Sequence, residues 1–123
     1  MMLGAIVTAF LVIGVVLVGY MAFLFWTDPA KGLRETTHRI EKLPSVLADR
    51  YTAFAVLGLG MIAFGDYPII TVYFLAGSIM GLSDGAIYAR AGHPHMKHTA
   101  SGVLSVLAMI VSAAAWVTSS GGA

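Results

Sequence analysis

From Met1 to Trp26 the sequence contains no charged side chain. An apolar run of about 20 residues crosses a hydrocarbon core as a helix, because lipid offers the backbone polar groups no partner outside the segment. The run is too long for a signal-peptide core of about 7–15 residues, and neither a basic stretch before it nor a small-residue cleavage site after it is present. It therefore reads as a retained span over residues 3–26, with Tyr20, Phe23, Phe25 and Trp26 gathered where aromatic rings favour the membrane interface.

Three further apolar runs follow. Tyr51 to Gly65 alone covers roughly 23 Å of helix, short of a ~30 Å core, so the second span is expected to begin near Ser45 and to cover 46–65. Gly65-Asp66-Tyr67-Pro68 reads as a tight reversal. The third span is placed at 68–89 and the fourth at 98–118, with Trp116 at the far interface and Ser119 to Gly122 as a frayed tail. The expected fold is all-α, an integral membrane four-helix bundle forming one domain over residues 1–123. The composition agrees: 11% of residues are charged, against about 25% in soluble domains. No cysteine is present, so disulfide and thiol chemistry are excluded.

The polar stretch from Thr27 to Asp49 separates the first two spans. Asp28-Pro29 is a suitable helix start, since Asp caps free amides and Pro is tolerated at the first helical position. Either a short interfacial helix carrying Leu33 and Ile40, or a solvated loop, fits here. Lys31, Arg34, Arg39, Lys42 and Arg50 form one basic block, and Arg90 and Lys97 a second. Four spans bring both blocks to one side. The excess of Lys and Arg on cytoplasmic loops then places 27–49 and 90–97 inside and both termini outside the cell membrane. Basic residues alternate with Asp28, Glu35, Glu41 and Asp49, which argues against nucleic-acid binding.

Without a strong hydrophobic drive between helices in lipid, small residues mark the packing faces. Gly77, Gly81 and Gly85 recur every fourth residue of the third span, beside Ser78, and read as a helix–helix seam. The fourth span carries a matching stripe of His98, Ser101, Gly102, Ser105, Ala108 and Ser112. Its opposite side, Val103, Val106, Leu107, Ile110 and Val117, suits lipid. Thr8, Gly19 and Ala22 make a weaker small face on the first span.

Ionisable groups inside membrane segments are costly and point to function by default. Asp84 lies six residues before Arg90, about 9 Å deeper along a helix. As an anion it needs a cation or several donors. Arg50 and His98 enter their spans from the same side, Tyr88 is one turn from Asp84, and Tyr51 adjoins Arg50. The candidate catalytic set is Asp84, His98 and Arg50, with Tyr51, Tyr88, Ser101 and Ser105 as ligand-binding residues. An Arg50–Asp84 pair that only fixes helix register remains an alternative. His93, His95 and His98 have spacing that can bind Zn²⁺ or Cu²⁺, but Pro94 stiffens the loop and Lys97 repels a cation, so no metal is assigned. His38 reads as a loop residue.

Gly81-Leu82-Ser83-Asp84, then Arg90 and Gly92, then His98-Thr99-Ala100-Ser101-Gly102 resembles a DoxX-like family of small bacterial and fungal membrane proteins of unknown function. The resemblance covers roughly residues 50–110 and implies a four-helix plan with interest centred on Asp84 and His98. That family usually carries an Arg-Asp pair in its second helix, where this chain has Asp49-Arg50. It implies no reaction.

Three functions are compatible with these features. A polar pocket at the cytoplasmic end could hold, and act by acid–base chemistry on, a lipid-like molecule such as an isoprenoid or quinone, its tail among membrane lipid. The chain could instead be an accessory subunit of a homo-oligomer or larger membrane complex, docked through its small-residue faces. A small multidrug-type transporter is third; that class carries its carboxylate in the first span, where none is found here.

Overall fold

The computed structural model describes residues 2–121. Among them are five α-helices, α1 (Met2–Thr27), α2 (Pro29–Glu35), α3 (Leu43–Phe64), α4 (Tyr67–Arg90) and α5 (Met96–Gly121), with a 3-10 turn at Ile40–Lys42. The all-α class is as expected, and four of these helices are long and apolar enough to cross a membrane. The fourth span exceeds its expected length: α5 is helical through Ser119 to Gly121, where a frayed tail was placed, while Gly122 lies outside the described residues.

The helix ends follow from local chemistry. Asp28 leaves helical geometry at φ −147°, and its side chain accepts from the Lys31 amide at 2.9 Å, with Pro29 opening the next helix. At Gly65, φ is +65° and its amide donates to the Met61 carbonyl, an αL cap of α3. Gly92, at φ +74°, ends α4 in a Schellman motif: the His93 amide donates to the Tyr88 carbonyl at 2.9 Å and the Gly92 amide to that of Ala89.

α2 ends in the same motif with a different residue. The His38 amide donates to the Leu33 carbonyl and the Thr37 amide to that of Arg34, but Thr37 takes the left-handed position at φ +58°. Of the two alternatives for this stretch, a short helix forms, but the turn keeps it from carrying both Leu33 and Ile40. Leu33 lies on α2, and Ile40 opens the separate 3-10 turn.

The chain divides into two compact units, Met1–Tyr51 and Thr52–Ala123, the boundary falling inside α3. In the first unit α1 packs against α2. Leu24 is buried, and a Cβ on Gly32 would lie 3.0 Å from the Phe25 ring. The Tyr20 hydroxyl donates to Glu35 Oε2 at 3.0 Å, and Lys31 Nζ lies 3.6 Å from Glu35 Oε1. Within this unit nothing lies within 4 Å of a Cβ built on Gly19, so the weak small face of α1 is not used there.

The second unit is dominated by the α4–α5 hairpin. A Cβ on Gly81 would sit 2.5 Å from the Gly102 amide nitrogen and 2.6 Å from its Cα, and one on Gly102 would sit 2.6 Å from the Leu82 nitrogen. The two backbones therefore touch, and only glycine permits it. Gly85 lies against the Thr99 side chain and backbone, and Gly77 against the Ser105 side chain. The glycine seam is thus occupied by α5. Toward the other end the buried Ser112 hydroxyl lies 3.0 Å from that of Thr71, each also reaching a carbonyl of its own helix. The Tyr73 hydroxyl donates to the Phe54 carbonyl, linking α4 to the C-terminal part of α3.

Candidate functional site

The Schellman turn at Gly92 and the Gly81–Gly102 contact set the register in which α4 and α5 face each other. That register brings Asp84 opposite His98, with His98 Nδ1 3.7 Å from Asp84 Oδ2. Tyr88, one turn beyond Asp84, stacks its ring on the His98 imidazole at 4.9 Å and an interplanar angle of 15°. His93 meets the same tyrosine ring edge-on at 6.4 Å. Asp84, Tyr88 and His98 therefore form a continuous polar patch on the hairpin.

The patch is open. The Asp84 and His98 side chains keep 47% and 37% of their exposure, so neither is sealed between α4 and α5. A pair this accessible contributes little to holding the helices together. It retains the ability to meet a molecule lying against the hairpin. Chemically, it offers a carboxylate that accepts hydrogen bonds and an imidazole whose Nε2 can donate or accept according to tautomer.

The remaining candidates distribute unevenly. Ser105 is half-buried against Gly77, consistent with packing. Ser101 is exposed, a departure from the inward stripe; the near backbone contact at Gly102 rotates its neighbour outward. Val106, expected to face lipid, is half-buried. Arg50 and Tyr51 belong to the first unit, whereas Asp84, Tyr88 and His98 belong to the second.

The histidines do not assemble as a ligand set. His98 serves Asp84 and Tyr88, His93 rests on Tyr88, and His95 Nδ1 lies 3.1 Å from Thr99 Oγ1. Among the described residues no group of three or more His, Asp or Glu is placed to hold a metal ion.

Thr99 is named by the sequence only within the His98–Gly102 motif, without a role of its own. It stands between the glycine seam and the histidine loop, its hydroxyl reaching both His95 Nδ1 and the His95 carbonyl. Its position one residue after His98 carried no distinguishing signal. No family model, curated protein or solved structure matches this chain.

Proposed function

We propose that this chain binds the polar head of a lipid-like amphipathic molecule, of isoprenoid or quinone type, at the Asp84–His98 patch. The observation that carries the reading is the accessible Asp84–His98 pair with Tyr88 stacked upon it, on a hairpin already held together elsewhere. An ionisable pair that packing does not require, on helices suited to lipid, fits a role toward a ligand. In this reading Asp84 acts as acid or base toward the head group and His98 is its proton partner. Ser101 and Ser105, on the same hairpin, are assigned supporting contacts with the ligand. The resemblance to the DoxX-like family supports attention to the same two residues.

The proposal includes orientation in the cell membrane: both termini outside and the loops 27–49 and 90–97 cytoplasmic. A cysteine replacing Ser120 should react with an impermeant thiol reagent on intact cells, and one replacing Thr37 should not. The reverse pattern would move the site to the opposite face. The accessory-subunit reading loses part of its support, because the Gly77, Gly81 and Gly85 face is taken up by α5 and is not free for docking.

Function is tested by mass-spectrometric profiling of lipids that copurify with wild type, Asp84→Asn and His98→Gln. A species retained by the wild type and lost from both folded variants is expected. Identical profiles from all three proteins would remove the reading.

A further inference from the structure

The first unit holds a second feature, separate from the Asp84 patch. A cleft of about 620 Å³ is lined by Ala30, Leu33, Arg34, Thr37, His38, Arg39, Ile40 and Glu41. It lies just beyond α1, whose last turns carry Phe23, Phe25 and Trp26. Aromatic rings of this kind favour the headgroup level of a bilayer.

Three observations give the cleft its chemistry. Arg34 and Arg39 stand on the two sides of the Thr37 turn, and among the described residues neither has a carboxylate within ion-pair distance. Of the nearby acids, Asp28 caps α2 and Glu35 is held by Tyr20 and Lys31, while Glu41 shares the cleft and leaves it one net positive charge from the two arginines. Ala30, Leu33 and Ile40 supply an apolar wall beside the two guanidinium groups.

The cleft is also held in place by more than a loop would need. A helix of seven residues is not stable alone. Here the Asp28 cap and the Lys31–Glu35 pair support α2 itself, and the Phe25–Gly32 contact and the Tyr20–Glu35 hydrogen bond fix it to α1. Thr37 occupies a left-handed position that glycine would take without strain, and it is among the residues that line the cleft. Strained backbone of this kind concentrates at ligand-holding sites.

We infer that this cleft binds the headgroup of an anionic glycerophospholipid. Arg34 and Arg39 receive the phosphodiester, since guanidinium groups match phosphate oxygens in two-point geometry. Leu33 and Ile40 meet the first carbons of the acyl chains, and Glu41 accepts from a hydroxyl on the headgroup. A phospholipid with a glycerol head satisfies all three contacts; a choline head carries no donor for Glu41 and no net negative charge.

The full-length protein in detergent is titrated with phosphatidylglycerol, phosphatidylcholine or free glycerol phosphate and read by native mass spectrometry. Wild type is expected to prefer phosphatidylglycerol to phosphatidylcholine by about tenfold, and Arg34→Gln/Arg39→Gln to lose that preference. Arg90→Gln/Lys97→Gln, with the same charge change in the second unit, should keep it. Equal loss in both double variants would show bulk charge attraction only and overturn the site. Displacement of the lipid by free glycerol phosphate would overturn the lipid assignment in favour of a soluble phosphate ester. Should Arg34→Gln/Arg39→Gln not fold, Arg34→Lys/Arg39→Lys replaces it. Binding several-fold weaker than wild type is then expected, because ammonium groups lack the guanidinium fork, and unchanged binding would reject the assignment. The outcome is independent of the Asp84 patch, so either reading can fail alone.

Discussion

The α4–α5 hairpin and the α1–α2 elbow solve the same problem by different means. The hairpin joins two long apolar helices through backbone contact at Gly81 and Gly102, with small side chains continuing the seam. The elbow joins a long helix to a seven-residue one through side chains, a ring laid on Gly32 and a Tyr20–Glu35 hydrogen bond, while a cap and a Lys–Glu pair support the short helix itself. In lipid, helix contact depends on close approach rather than on expelling water, and glycine provides it. At a polar boundary, short helices need capping and charged contacts instead. The difference teaches where polar residues are free. In the hairpin the glycine seam carries the packing and leaves Asp84 and His98 available. In the elbow Asp28 and Glu35 are consumed, and the arginines are left over.

Breaking the seam should have the largest effect. Gly81→Ala places a methyl group where the Gly102 backbone already lies, and overpacking of this kind costs about 1–3 kcal/mol. Gly81→Leu should abolish folded protein in detergent, as judged by size-exclusion recovery. A wild-type melting profile for Gly81→Leu would mean that the two backbones are not in contact.

The elbow should yield by less. Tyr20→Phe with Glu35→Gln removes exposed polar contacts, each worth about 0.2–1 kcal/mol. Faster amide exchange confined to residues 29–36 is the expected result, with the hairpin unaffected. Protection lost equally in α4 and α5 would show that the two regions are not held independently.

Much of this contrast is legible in the sequence, and the reasons for the remainder are physical. The uncharged run to Trp26, the four-residue glycine repeat and Asp28-Pro29 are local patterns with one good structural solution each. They specify the spans, the seam and the start of α2. The Thr37 turn is not legible, because threonine disfavours the left-handed conformation that ends α2 there. The stacking of Tyr88 on His98 depends on the exact rotation of two helices, which Gly102 sets and periodicity alone does not resolve. Ser101 shows the same limit: small and polar at the right spacing, yet exposed.

A smaller effect, of opposite sign, is expected at the turn itself. Thr37→Gly should stabilise the elbow by about 1 kcal/mol, since a left-handed β-branched residue is strained and glycine is not. Chemical denaturation of the two proteins would measure it, and a loss of stability would show that Thr37 contacts outweigh its backbone strain.

The central claim is that Asp84 and His98 are spared from packing, and one experiment meets it directly. Gly81→Ala, Asp84→Asn and the double variant Asp84→Asn/Arg50→Gln are melted in one detergent. The account predicts that Gly81→Ala melts well below wild type. Asp84→Asn should stay within about 1 kcal/mol of wild type, as expected for an accessible pair, and Arg50→Gln should restore nothing. A loss of about 3–5 kcal/mol in Asp84→Asn, recovered in the double variant, would be the mark of a buried Arg50–Asp84 pair and would contradict it.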